Sequence, residues 1–544
     1  MKKYSLLLII LLFEIVILNL IPYNTSWSSI RDDLKNSGDE TSMNLTFQIA
    51  DQIYNGCEYL IITHENFAEA IEILAQDKNK HGISTKIVNT SSICENPTPE
   101  NISDFIKEAY ETWNPQPKYI LLVGDVNFIP CHRGRDYDVS TDLYYATVNG
   151  SDYFPDLNIG RFPVQNNDEL MSIINKTINY EENYNPKLQI FRKVLLAAYN
   201  QSDGIDRYYI TTSENISEFL EANSYYTTRI YSGSGQNGTT EDIISSINEG
   251  VLILNHRDHG IESGWSYPSF TISDIEELNN PHFQPVMFSI NCLSGNFGYH
   301  SDCFGEAILK AENKGISAFI GASTVSYSGY NDELNKGLFA SIFPGYYPNY
   351  SNGNVSRSEE MGGVLNFGKM FMYDKYYLTN GEGYRWSATE KITRLQFEIL
   401  NLLGDPALAI IDNIAPEIYN LSLKSDILEL GDTQKIGFHI REKFALDTVE
   451  LNIKDQTIIE KKYNNSFFEC FYKSLETGNI TYDIKINDTS GNFITLSGYF
   501  TVRDNGNLLK DILFIMFLSI ATIILIYPII DRFLIRKFIK NDYI

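Results

Sequence analysis

Apolar and polar positions follow two grammars along this chain. From Tyr59 to about Ile411, continuous apolar runs of strand length recur: YLIIT, STKIVNT, YILLVGD, RKVLLAAY, YYTTRIY, VLILNHRDHG, VMFSINCLSGNF and ISAFIGAS. Between them lie stretches whose apolar residues return every three to four positions, as in Phe67 to Asn79, Ile102 to Trp113, Glu169 to Asn183, Ser213 to Ala222 and EDIISSIN. Buried strands alternating with amphipathic helices predict βαβ units and mostly parallel sheets. The polar stretch DYDVSTDLYYATVNGSDYFPDLNIGRFPV reads as a loop, and the chain from Ser328 to LQFEILNLLGDPALAI as a long helical region. A restart at Arg192 divides this part into two α/β sub-domains, 57–190 and 191–414.

After Pro416 the period changes to two. KIGFHIRE, TVELNIKD, ITYDIKIND and NFITLSGYFTV succeed one another with turn signals roughly every ten residues, the pattern of an immunoglobulin-like β-sandwich over 415–503. Both ends of the chain are apolar. Residues 1–26 carry a Lys2-Lys3 start and an apolar run, the pattern of a signal peptide or N-terminal anchor, followed by a polar linker or short pro-segment over 27–56. A linker over 504–511 leads to Ile512–Ile530, nineteen uncharged residues and long enough for a transmembrane helix. Arg532, Arg536, Lys537 and Lys540 follow in the 531–544 tail. That places the tail in the cytoplasm and the body outside the cell membrane.

Composition narrows the function. At 544 residues, 43% hydrophobic and 21% charged, the chain is globular and multi-domain. A net charge of −26 argues against a nucleic-acid partner, which would need a basic patch. Six scattered cysteines form neither a disulfide scaffold nor a metal-type pair spacing. About fifteen N-x-S/T triplets, among them those at Asn44, Asn101, Asn149, Asn215, Asn354 and Asn479, fit a glycosylated outer surface.

Two apolar runs end on reactive side chains, His259 followed by Gly260 and, some thirty residues on, Cys292 followed by Leu293-Ser294-Gly295-Asn296. Parallel strands present such ends at one edge of the sheet. There an imidazole can take the proton of a thiol, and the amides of Gly260 and Cys292 can converge on an oxyanion, where one donor is worth about 3 kcal/mol of barrier. His256, three residues before His259, falls on the opposite face of its strand and lacks the following Gly.

At these residues the chain resembles the gingipain family of cysteine peptidases, within the caspase-like clan. ILLVGD with IP shortly after (Ile120 to Pro130), IGRF (Ile159 to Phe162), CFGEAILKA (Cys303 to Ala311) and LLGDPAL (Leu402 to Leu408) resemble family segments in family order. The resemblance implies a caspase-like catalytic domain of two α/β sub-domains followed by the sandwich. It implies Cys292 as nucleophile and His259 as acid and base in an endopeptidase that forms an acyl-enzyme on protein or peptide substrates. The family orients its catalytic His with an acidic residue; here the matching stretch reads AYNQSDGID, with Asp203 as candidate and Gln201 as a neutral substitute. The acidic residue that sets arginine preference in the family has no clear match here, since Ile210 falls near that register; Asp206 is the substitute candidate for substrate binding, with Tyr327 beside it in that role. The family's chemistry requires no cofactor, but the resemblance implies structural calcium, for which Asp125, Asp142, Asp152 and Asp156 offer oxygen ligands. Two rival readings remain: a transpeptidase of the same chemistry, separable by ligation to added amines, and an inactive adhesin or scaffold, which no activity probe would label.

Overall fold

A computed structural model describes residues 56–201, 209–379, 389–454, 456–458, 461–462, 466–504, 514 and 516–517. The strands of the catalytic part are β1 (Tyr59–Thr63), β2 (Thr85–Asn89), β3 (Tyr119–Val123), β4 (Asn158–Phe162), β5 (Lys193–Asn200), β6 (Tyr226–Gly233), β7 (Ile253–Arg257), β8 (Val286–Ile290), β9 (Ala318–Ala322) and β10 (Leu400–Leu403). They form one ten-stranded sheet in the order β2-β1-β3-β4-β10-β9-β8-β7-β5-β6. The two halves share this single sheet. β4 and β10, the two strands absent from the sequence reading, are the ones that join them. β10 runs parallel to β4 at Leu403 opposite Arg161, and antiparallel to β9 from Phe319 opposite Leu403 to Ala322 opposite Leu400. The direction of the sheet reverses there, so the strands of the second half present their carboxyl ends at the edge opposite to those of the first.

Strands buried on both faces must be apolar on both. Along β5, Val194, Leu196 and Ala198 enter one core while Leu195 and Ala197 enter the other. The first core is covered by α4 (Tyr209–Ala222), α7 (Ser328–Ile342) and α8 (Met361–Met372); the second by α1 (Ala68–Lys80), α3 (Asn167–Asn183), α5 (Thr240–Glu249) and α6 (Phe304–Lys310). The long helical region is in fact broken into α7, α8 and α9 (Glu390–Ile399) before the chain turns into β10. Helix α2 (Pro99–Thr112) starts three residues before the apolar period, because Thr98 and Asn101 close a capping box ahead of it.

Two buried charge clusters hold the seam. Arg161 of β4 makes paired hydrogen bonds of 2.7 Å to Asp142 and donates to the carbonyls of Gly124 and Ile129. Lys78 of α1 lies 2.8 Å from both Glu181 of α3 and Asp405, just past β10.

The β-sandwich consists of two sheets. One contains Glu417–Leu423, Thr433–Arg441, Phe467–Lys473 and Lys461–Lys462; the other contains Ile427–Glu429, Phe493–Arg503, Gly478–Asp488, Leu446–Ile453 and Gln456–Ile458. They share a core that includes Ile436, Phe438 and Phe468 from one sheet and Leu451, Ile484 and Phe500 from the other. The sandwich docks on the catalytic part through Arg441, which reaches Glu58 and the Gly82 carbonyl, and through Lys443, which meets Glu360 and the Ala407 carbonyl. Residues 1–55 and the stretch read as a membrane helix lie outside the described residues, apart from Phe514, Met516 and Phe517. Among the described residues, no helix is long and apolar enough to cross a membrane.

Candidate active site

β7 and β8 are adjacent and parallel, with Arg257 opposite Ile290. His259 and Cys292 each follow two residues later, so they leave the same edge of the sheet side by side. Gly260 brings the two exits together. A β-carbon there would stand 2.6 Å from the carbonyl oxygen of Cys292 and 2.4 Å from the side-chain oxygen of Asn291, so only glycine fits after the histidine.

The turn after Cys292 is tight and strained. Leu293 has φ of 65°, a left-handed conformation unusual for leucine and common at functional sites. Its amide donates to the Thr324 carbonyl at 3.1 Å, and that of Gly295 to Ala322 at 3.0 Å, which stitches the turn to the end of β9. Beneath it lies a closed polar network. Asn291 donates to Nδ1 of His256 and to the Ser289 hydroxyl, both at 2.8 Å; Ser294 donates to Asn291 at 2.6 Å; the Trp265 indole donates to Ser289 at 2.8 Å.

His256 is therefore structural, as its place on the strand implied. With Nδ1 accepting, Nε2 carries the proton and donates to the Tyr267 carbonyl at 3.2 Å. The ring stacks on Trp265 at 4.3 Å, and burial holds its value down to about 3.

Cys292 is partly exposed, and its sulfur faces Ser326. The Ser326 amide donates to it at 3.4 Å, and the Ser326 carbonyl and hydroxyl lie at 3.7 and 3.8 Å. Asn331 and the Asn291 carbonyl fix that hydroxyl, at 2.6 and 3.0 Å. Ser326 was not singled out in the sequence, and its backbone role gives no residue-type signal. His259, also partly exposed, bonds through Nε2 to Oε1 of Gln201 at 3.0 Å, and Tyr209 meets its ring edge-on at 5.8 Å. Among the described residues, the neutral Gln201 is thus a partner of the imidazole at Nε2; Asp203 and Asp206 lie outside the described residues. Below this layer, Arg257 pairs with Asp332 at 2.8 Å, donates to the Ser328 carbonyl and hydroxyl, and lies 4.5 Å from the Tyr209 ring. Burial raises the Asp332 carboxyl even with Arg257 beside it. Tyr327 stands at the rim, next to Ser326.

Cys303 is no rival nucleophile: it is buried ahead of α6, and burial pushes its thiol well up. The described residues include all six cysteines, and none forms a disulfide.

The four carboxylates named for calcium do not converge. Asp142 is paired with Arg161. Asp125 accepts from the Val126 amide and from Gln165, Asp156 from the amides of Val148 and Asn149, and Asp152 from that of Phe154. Among the described residues, no three His, Cys, Asp or Glu side chains gather as a metal site.

The sequence profile of peptidase family C25 matches residues 53–411, which span the whole ten-stranded sheet and both catalytic candidates. The chain belongs to peptidase family C25. Among curated C25 relatives, gingipain R2 of Porphyromonas gingivalis is 27% identical over 389 residues, 70% of this chain and 49% of that protein. Lys-gingipain HG66 of the same organism is 30% identical over 278 residues, 50% of this chain and 16% of the relative. The chain thus spans about half the length of gingipain R2 and less of the Lys-gingipain. Among solved C25 structures, the Arg-specific cysteine proteinase gingipain R superposes with a TM-score of 0.60 at 21% identity, over 82% of this chain and 98% of the other. That likeness establishes the shared fold.

Proposed function

We propose that the chain is a cysteine endopeptidase that cleaves peptide bonds through Cys292 and His259. The observation that carries this reading is the side-by-side exit of the two residues from β7 and β8, locked by Gly260. Gln201 presents an oxygen to Nε2, so that nitrogen holds a proton and Nδ1 is the basic one. His259 takes the thiol proton, and the sulfur attacks the peptide carbonyl. The amides of Gly260 and Cys292 receive the oxyanion. The protonated imidazole then gives its proton to the departing amine, which leaves a thioester for water to hydrolyse. No step draws on a metal.

The sandwich serves as an immunoglobulin-like spacer, and the uncharged stretch Ile512–Ile530 tethers the body outside the membrane. The support is its length and the basic residues that follow.

Two variants test the chemistry. Cys292→Ala should abolish cleavage of a mixed peptide library and labelling by a thiol-reactive peptide probe, while Cys303→Ser should keep both. Cleavage by the Cys292→Ala protein would overturn the assignment.

A further inference from the structure

Exposed apolar side chains lie on both segments that carry the site. Val325 and Tyr327 flank the residue that touches the sulfur, and they are 56% and 36% exposed. On the other side Ile261 follows Gly260, which packs on the Cys292 carbonyl, and is 48% exposed. Tyr267, 51% exposed, stacks on Tyr199 at 4.6 Å, and its carbonyl is held by His256. Single exposed apolar side chains are ordinary, whereas several gathered around one reactive atom mark a binding surface.

Asp332 and Arg257, the buried pair of the wall, are already engaged. Asp332 accepts from Arg257 at 2.8 Å and from the Thr212 hydroxyl at 3.1 Å. Arg257 also donates through one terminal nitrogen to the Ser328 carbonyl and hydroxyl. The pair is buried, and it pins the 326–328 wall to β7 rather than offering a charge to a ligand. A lysine or arginine side chain of a substrate needs a carboxylate that is not already bound to an arginine, and Asp332 does not provide one.

We propose that this cleft selects a large aliphatic or aromatic side chain beside the scissile bond, held by Val325 and Tyr327 on one wall and Ile261 and Tyr267 on the other. The inference rests on the peptidase reading and adds the substrate class. It sets this chain apart from relatives whose names specify arginine or lysine.

The test is the rate at which Cys292 is alkylated by peptidyl chloromethyl ketones carrying Phe, Leu, Arg, Lys or Asp next to the reactive group. Alkylation by iodoacetamide reports that the thiol and fold persist. The Phe and Leu reagents should react about tenfold faster or more than the charged ones. Tyr327→Ala and the double variant Val325→Ser with Ile261→Ser should each erase most of that margin. Faster reaction with Arg or Lys would overturn the inference, leave the peptidase reading intact, and place selection in 202–208 with Asp203 and Asp206. Equal rates for all five would also overturn it. Alkylation by iodoacetamide alone, with no peptide cleaved, would instead overturn the peptidase reading and this inference with it.

Discussion

At the scale of single residues, the unusual element is Gln201. An amide can hold an imidazole in place, but it does little to stabilise the imidazolium, whereas a carboxylate does both. Gln201→Glu should therefore raise the affinity of His259 for its proton and extend the alkaline limb of the kcat/KM profile to higher pH. Gln201→Ala should lower kcat/KM by about 10- to 100-fold with the alkaline limb unmoved, since it removes orientation alone. A Gln201→Glu profile that overlays the parent's would show that the amide does not govern the ring. Cys292 and His259 were legible because each ends an apolar run, a pattern that fixes position without any partner being known. Ser326 was not, because its contribution is a backbone amide that any residue but proline would supply. The pairing of Arg257 with Asp332 joins residues 75 apart in the chain, and nothing local announces it.

At the scale of elements, most helices and strands of the large sheet were readable to within a few residues, and the two of its strands that were missed failed for different reasons. β10 follows α9 without a glycine or proline between them, so FEILNLL is one apolar run, and such a run does not by itself distinguish helix from strand. β4 holds a glycine and a buried arginine, both poor strand signals. Gly160 is there because a β-carbon would stand 2.2 Å from the Gly404 carbonyl, and Arg161 because Asp142 neutralises it. These two strands join the halves, so missing them meant missing the single sheet. The seam has its own test. Lys78→Met removes the cation shared by Glu181 and Asp405 and leaves two buried carboxylates facing each other. The unfolding free energy from urea titration should fall by about 3–5 kcal/mol, the range for breaking one side of a buried ion pair. A midpoint unchanged from the parent would show that the cluster contributes nothing to the joint.

At the scale of the whole molecule, the sandwich meets the catalytic part through acids tuned in opposite directions. Burial alone would raise Glu360, but Lys443 and Lys118, with the Tyr119 hydroxyl, hold it down at about 2 against an ordinary 4.5. Its contribution to stability is complete above pH 4.5 and is lost as pH falls toward 2. Burial pushes Glu442 up to about 8 and Asp412 up to about 6; Glu442 also feels Asp412 and Asp488, and Asp412 feels Asp488. These two lose protons more readily in the unfolded chain, so their effect on stability worsens as pH rises from the ordinary carboxylate range to about 8. The melting temperature of the full chain should therefore peak in mildly acidic buffer and decline toward pH 8, and Glu442→Gln should flatten that decline. A melting temperature that rises steadily to pH 8 in both proteins would refute the assignment.

The shared sheet also decides how this molecule can be inhibited. Because β10 is hydrogen-bonded to strands of both halves, main-chain bonds tie the two sides of the catalytic part together at the seam, and the loops at the site are where adaptation to a ligand costs least. A compact electrophile should meet the same rigid floor whether or not it carries a long tail. Affinity gained by lengthening an inhibitor would then come from the loop walls alone, and a short, stiff scaffold is the better starting point for chemistry.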